Sequence, residues 1–196
     1  MASFKFLLGE KIGMTQIFVD NKVVPVTIIK AGPCFITNLR FKDRDGYSAV
    51  QIGLKDEKKN NKFKKIKEFR LINDPQEVNI GEEIKVTNFS QGDIVQVRGK
   101  RKAKGFSGVV KRHHFRGGPR THGQENKERA PGSIGQRWPQ RVRKGLKMAG
   151  RIAPLNVTIK NLEIVGIEPE DQLLLLKGSV PGPNKSIIEI KAIDQK

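Results

Sequence analysis

The stretch KVVPVTIIKA, Lys22–Ala31, decides the fold. Its β-branched residues are stiff at χ1 and fit a pleated, half-buried surface better than a helix. The same texture recurs along the chain. It is present in TQIFV (Thr15–Val19), CFITNLRF (Cys34–Phe41), YSAVQIGL (Tyr47–Leu54), EEIKVTNF (Glu82–Phe89) and DIVQVRG (Asp93–Gly99). It returns in NVTIKNLEIVGI (Asn156–Ile167), QLLLLKG (Gln172–Gly178) and SIIEIKAI (Ser186–Ile193), with the breaks VDNK, KDRDG, EPED and PGPN between runs. Many short alternating strands at this spacing predict a mainly β fold, closed or partly closed into a barrel. One stretch departs from the pattern: DEKKNNKFKKIKEF, Asp56–Phe69, is polar with Phe63 and Ile66 three apart, and reads as a short surface helix or a loop.

Charge divides the chain into two physical objects. The whole carries a formal +18 over 196 residues. From Arg98 to Arg151 there are 17 Lys or Arg against two acids, Glu125 and Glu128, whereas the other 142 residues hold 21 basic and 18 acidic groups. Residues 1–97 and 152–196 are therefore expected to form a discontinuous, nearly balanced globular domain, and 98–151 an intensely basic insert. Extended at about 3.3 Å per residue, an excursion that leaves and returns over this length reaches on the order of 80 to 90 Å. This predicts an extended arm.

Within the insert, Phe106, Val109, Val110 and His113 fall at helical spacing and predict a short helix. Beyond it, RGGPRTHGQENKERAPGSIGQ and RWPQRVRKGLKMAGR show no period. So long an aperiodic stretch inside a compact chain points to function or disorder.

Several classes of function find no support. The single Cys34 excludes a disulfide framework and a cysteine-rich zinc site, and implies a reduced, intracellular compartment. His113, His114 and His122 lack partner ligands and sit among cations that oppose a dication, so no metal is expected. GFSGV lacks the spacing of a nucleophile elbow, and no glycine-rich phosphate motif is present, so neither an enzymatic role, a cofactor nor a small-molecule substrate is indicated. No apolar run approaches the roughly 18 residues of a membrane span, and the glycine and proline spacing from Gly117 to Pro139 denies an amphipathic membrane-surface helix.

A nucleic-acid partner accounts for the insert. Arg and Lys neutralise phosphates, the guanidinium plane stacks on bases, and Trp138, the only tryptophan, offers a face for an unpaired base. RNA fits better than DNA. An irregular glycine- and proline-bearing segment offers no recognition helix for a duplex major groove, while folded RNA presents crevices and unstacked bases.

The motifs LLGEKIGMTQIF, GKRKAKGFSGVVKRHHFRGGPRTHG, RAPGSIGQ and GLKMAGR, followed by NVTIKNLEIVGIEPEDQLLLLKGSVPGP, together resemble the bacterial form of the ribosomal protein family three of the large subunit. They run in order over nearly the whole chain. The resemblance implies a translation-protein-type β-barrel on the outside of the large subunit, and a long basic arm containing a short helix that runs through rRNA toward the peptidyl-transferase centre. It also implies a structural role in early subunit assembly, neighbours among large-subunit proteins, and a cytoplasmic ribosome in preference to an organellar one.

Carried over by position, Lys100, Arg101, Lys102 and Lys104 grip rRNA where the arm leaves the barrel, and Lys111, Arg112, Arg116 and Arg120 follow along and past the helix. Arg129, Arg137, Arg141, Arg143, Lys144, Lys147 and Arg151 continue the contacts. The tip near the peptidyl-transferase centre comprises Gly132, Ser133, Ile134, Gly135, Gln136 and Trp138. Trp138 stands where some bacterial relatives have a methylated glutamine, so that modification is not expected. Arg143 and Leu146 also depart from the family's usual aromatic and lysine. The competing reading is a free RNA-binding chaperone or translation-factor-like protein built on the same barrel.

Overall fold

The computed structural model describes residues 5–19, 21–56, 62–71 and 79–193. The chain forms two compact units, Met1–Arg101 with Asn156–Lys196, and Lys102–Leu155. The first unit contains β1 (Phe6–Val19), β2 (Lys22–Ala31), β3 (Cys34–Arg40), α1 (Lys42–Asp45), β4 (Ala49–Lys55), β5 (Phe63–Arg70), β6 (Glu83–Ile84) and β7 (Ile94–Lys100). The second contains β8 (Gly105–Ser107), α2 (Val109–His113) and β9 (Gly150–Ile152). The chain then returns to the first unit with β10 (Asn156–Glu168), β11 (Leu173–Lys177) and β12 (Ile187–Ala192). The fold is mainly β.

Six antiparallel strands in the order β1, β12, β7, β10, β11, β2 close on themselves, because β2 also pairs with β1 over Val19↔Lys22 to Gly9↔Ala31. β12 covers β1 over Phe6–Glu10, and from Gly13 to Val19 β1 pairs with β2. The interior follows the two-residue period of a strand. Val95 and Val97, Leu174 and Leu176, and Ile188 and Ile190 are fully excluded from solvent, while their neighbours Leu173, Leu175, Ile187 and Glu189 are half-buried. Register shifts at Lys11/Gly13, Ile159/Leu162 and Ile164/Gly166 mark bulges. Bulges bend and twist long strands, which lets β1 and β10 serve two neighbours around a curved sheet. Gly9 is required by close approach: a Cβ there would lie 2.5 Å from Cγ2 of Ile29. Lys11 is buried and donates from Nζ to the Val180 carbonyl at 2.8 Å.

A second sheet, ordered β5-β4-β3-β6, packs into the same core. Cys34, Ile36, Leu39, Val50, Ile52, Leu54, Phe69 and Ile84 are among its buried residues. Cys34 is wholly buried, with Sγ 3.2 Å from the Leu8 carbonyl oxygen, and burial pushes its thiol up to about 11. It behaves as a small apolar residue with a weak donor.

Two expectations are corrected. The described part of Asp56–Phe69 is not helix or loop from residue 63 onward: it enters β5, paired with β4 from Lys55↔Phe63 to Ala49↔Arg70. Its alternation was hidden because most of the strand is solvated and only Phe69 is buried. Residues 57–61 of that stretch lie outside the described residues. EEIKVTNF forms only the two-residue β6, then a single 3-10 turn at Val86–Asn88. Ile84, Val86 and Phe89 are buried, so the run's apolar content belongs to the core without a ladder to match.

Candidate nucleic-acid interface

The second unit has a small ordered base. β8 and β9 pair antiparallel, with Gly105↔Ile152, Phe106↔Arg151 and Ser107↔Gly150 in register. The next residues wind into α2, which ends at His114 in the left-handed region, its amide donating to the Val110 carbonyl. The predicted short helix is present at Val109–His113, with Val109 buried; Phe106 instead lies on β8 and is exposed.

Arg112 fastens α2 to the returning chain. Its Nη1 donates to the Met148 carbonyl at 2.7 Å, and Nε2 of His113 lies 3.1 Å from the same oxygen. The guanidinium lies over Gly150, where a Cβ would come within 2.5 Å of Nη1. Sequence spacing gave no signal of this clamp, because its partner is a backbone carbonyl.

The second ordered feature is a close backbone crossing. The Gly118 amide donates to the carbonyls of Lys127 and Glu128 at 3.2 and 3.0 Å. A Cβ on Gly117, which has φ +77°, would fall 2.0 Å from the Glu128 oxygen. Only glycine meets both demands. Arg120 Nε pairs with Glu128 Oε1 at 2.8 Å across this crossing, and the 3-10 turn Glu125–Lys127 lies beside it. Phe115, Gly117, Gln124, Lys127, Ala130 and Gly132 are among the residues lining an adjoining cavity of about 490 Å³. The GG dipeptide was the only hint of this crossing in the sequence.

The segment from Gly132 to Arg141 is held by short local bonds. Ser133 Oγ donates to the Gly135 carbonyl at 2.9 Å, and Gln136 Nε2 to the Trp138 carbonyl at 2.7 Å. Trp138 is 72% exposed, and Ile134, Val142 and Leu146 are also exposed. These side chains do not form a core.

All fifteen cations singled out in the sequence are exposed: Lys100, Arg101, Lys102, Lys104, Lys111, Arg112, Arg116, Arg120, Arg129, Arg137, Arg141, Arg143, Lys144, Lys147 and Arg151. Lys100 ends β7 and Arg101 follows it in the first unit, while the rest belong to the second. The six tip residues, Gly132 to Gln136 and Trp138, are exposed too. The structure brings Arg112 into the clamp and Arg120 into the crossing. Among the described residues no group of three or more His, Cys, Asp or Glu is placed to hold a metal ion. No helix among them is long and apolar enough to cross a membrane.

An exposed, cation-dense segment with a solvated aromatic and a glycine-permitted backbone crossing suits a polyanion with flat groups to stack. Comparison with known proteins agrees in kind. Residues 77–173 match the family model described as Ribosomal protein L3. The chain is 47% identical to the large ribosomal subunit protein uL3 of Chloroherpeton thalassium, covering 94% of this chain and 97% of that protein. It is 46% identical to the uL3 of Acidothermus cellulolyticus, over 95% of this chain and 91% of that one, and 46% identical to that of Thermosipho melanesiensis, over 96% and 98%. Identity of this order, sustained over both units, means that the chain belongs to the ribosomal protein L3 family, the uL3 proteins.

Proposed function

We propose that the chain is a structural constituent of the large subunit of a cytoplasmic bacterial ribosome, and that it acts there by binding large-subunit rRNA rather than by catalysis. The observation that carries this reading is the segregation of charge. Residues 1–97 and 152–196 are nearly balanced and hold the closed ring, and residues 98–151 hold exposed cations around sparse, short secondary structure. A segment of that composition cannot bury enough apolar surface to offset its own repulsion, so the compensating partner is external and anionic.

On this reading the closed ring is the translation-protein-type barrel seated among neighbouring large-subunit proteins, and residues 98–151 are the arm that threads rRNA. Lys100 to Lys104 hold the exit from the barrel, Arg112 and Arg116 follow the helix, and Gly132 to Trp138 form the tip toward the peptidyl-transferase centre. The arm supports the RNA during early assembly and around the catalytic centre without reacting itself.

Sedimentation of the tagged protein from a lysate through a sucrose gradient tests the reading. Stable co-migration with large subunits is expected. Migration with free RNA alone, or as free protein, would instead indicate a chaperone or factor that uses the same fold.

A further inference from the structure

The first unit carries a separate basic surface that the arm reading leaves unused. It lies where β4 ends and β5 begins. Phe35, Lys55, Lys62 and Phe63 line a cavity of about 250 Å³. A neighbouring cavity of about 450 Å³ shares Lys55 and adds Lys30, Lys64 and Lys185, with Glu10 and Asp56. Among the described residues, five lysines and two carboxylates line the two cavities of this cleft, and one of those carboxylates, Glu10, is paired with Lys64.

The aromatic part of this surface is held firmly. Phe63 lies against the strand over Gly53, where a Cβ would stand 2.5 Å from its Cδ1. The ring's position therefore depends on the missing side chain at Gly53. Phe63 remains 42% exposed, and Lys55 Nζ lies 5.8 Å from the centroid of Phe35 beside it. Covering a strand glycine accounts for the seat of the ring. It does not account for the lysines around it, which repel one another and would be better dispersed if Phe63 were only a cover.

We infer that this cleft binds an unpaired RNA nucleotide, its base stacked on Phe63 and its flanking phosphates held by Lys55 and Lys62. A nucleotide supplies a flat apolar face and an anion at adjacent positions, which is the pairing of groups the cleft presents. An acidic protein segment would satisfy the lysines and leave the ring solvated. A regular duplex would keep its bases stacked and out of reach. The site is distinct from the basic segment and rests on the proposed ribosomal function, since it needs an RNA with unstacked bases as neighbour.

The experiment uses large subunits carrying the full-length protein, irradiated with short-wave ultraviolet light, digested and mapped by mass spectrometry. A ribonucleotide adduct on Phe63 is expected. It should be lost in Lys55→Glu/Lys62→Glu subunits while any adduct on Trp138 persists. Phe63→Leu, which still covers Gly53, should remove the adduct without reducing incorporation into subunits. Absence of the Phe63 adduct in wild-type subunits that do carry one on Trp138 overturns the inference and leaves the ribosomal function standing. Carbodiimide joining Lys55 or Lys62 to a carboxylate of another protein also overturns it, in favour of an acidic protein partner. Failure of the chain to enter large subunits at all would defeat the proposed function instead.

Discussion

The ring of Phe6 stacks on the ring of Phe69, with centroids 4.8 Å apart and planes 13° from parallel. Phe6 belongs to the closed six-stranded ring and Phe69 to β5 of the second sheet, so this pair joins the two sheets. Both are buried. Truncating Phe69 to Ala should lower the unfolding free energy by about 3 to 5 kcal/mol, as for other core phenylalanines. Denaturant titration of the full-length protein checks this. A double-mutant cycle with Phe6→Ala should return a coupling of about 0.5 to 1.5 kcal/mol for the stack itself.

Gly117→Ala should open the crossing between residues 117–118 and 127–128. The added Cβ has no room against the Glu128 carbonyl, and the residue must hold φ +77°. Strain of this kind costs about 1 to 3 kcal/mol. Hydrogen exchange should show the Gly118 amide losing protection in the variant, while amides of β7 and β12 keep theirs. Retained protection at Gly118 would mean the crossing relaxes around a side chain.

RNA affinity should fall steeply with salt. Each phosphate contact contributes a log-log slope of roughly −0.7 to −0.9, so Arg137→Gln/Arg141→Gln/Arg143→Gln should make the slope shallower by about 2 to 3 units if each guanidinium neutralises one phosphate. Filter binding to a large-subunit rRNA fragment across a salt series measures it. An unchanged slope would move the contacts elsewhere on the chain.

Trp138 is solvated on the protein, so its substitution tests RNA contact more than folding. Trp138→Phe should be mild. Trp138→Ala should weaken local RNA binding by about 1 to 3 kcal/mol, the usual worth of a base on an aromatic ring. Chemical probing near the peptidyl-transferase centre should show altered reactivity in Trp138→Ala subunits whose assembly is normal.

Cys34 gives a pH signature with a definite sign. Its thiol is raised by burial from 9.0 to about 11 in the fold, so the folded state holds a proton that the unfolded chain releases first. Stability is therefore greatest below pH 9 from this group and declines between about 9 and 11. Comparing Cys34→Ala with wild type across that window should show the wild type losing stability faster. Native Cys34 should also resist alkylation at neutral pH and react readily once unfolded.

The strands that surround the core were the most legible part of the sequence. β2, β7, β11 and β12 announce themselves through β-branched or leucine runs, because burial of alternate residues imposes that pattern. β5 was not legible, since FKKIKEFR is solvated along most of its length and its one buried residue, Phe69, sets no period. At the start of β1, Phe6, Leu7 and Leu8 are all buried, so the strand shows no alternation there. In the basic segment composition revealed the cations, but the Arg112 bond to Met148 and the Gly118 bonds to residues 127 and 128 involve backbone carbonyls, which no side-chain pattern encodes.

The pairing of β7 with β10 bears on how freely the family can vary. Lys100 and Asn156 are register partners, so the chain departs from and rejoins the ring at facing positions on adjacent strands. The rungs of that ladder fix where the excursion begins and ends, whatever its content. Doubling the length of a flexible excursion so anchored adds only about 0.6 kcal/mol of closure entropy. The ring thus works as a socket: the inserted sequence can change its length without altering the β7–β10 rungs that bound it.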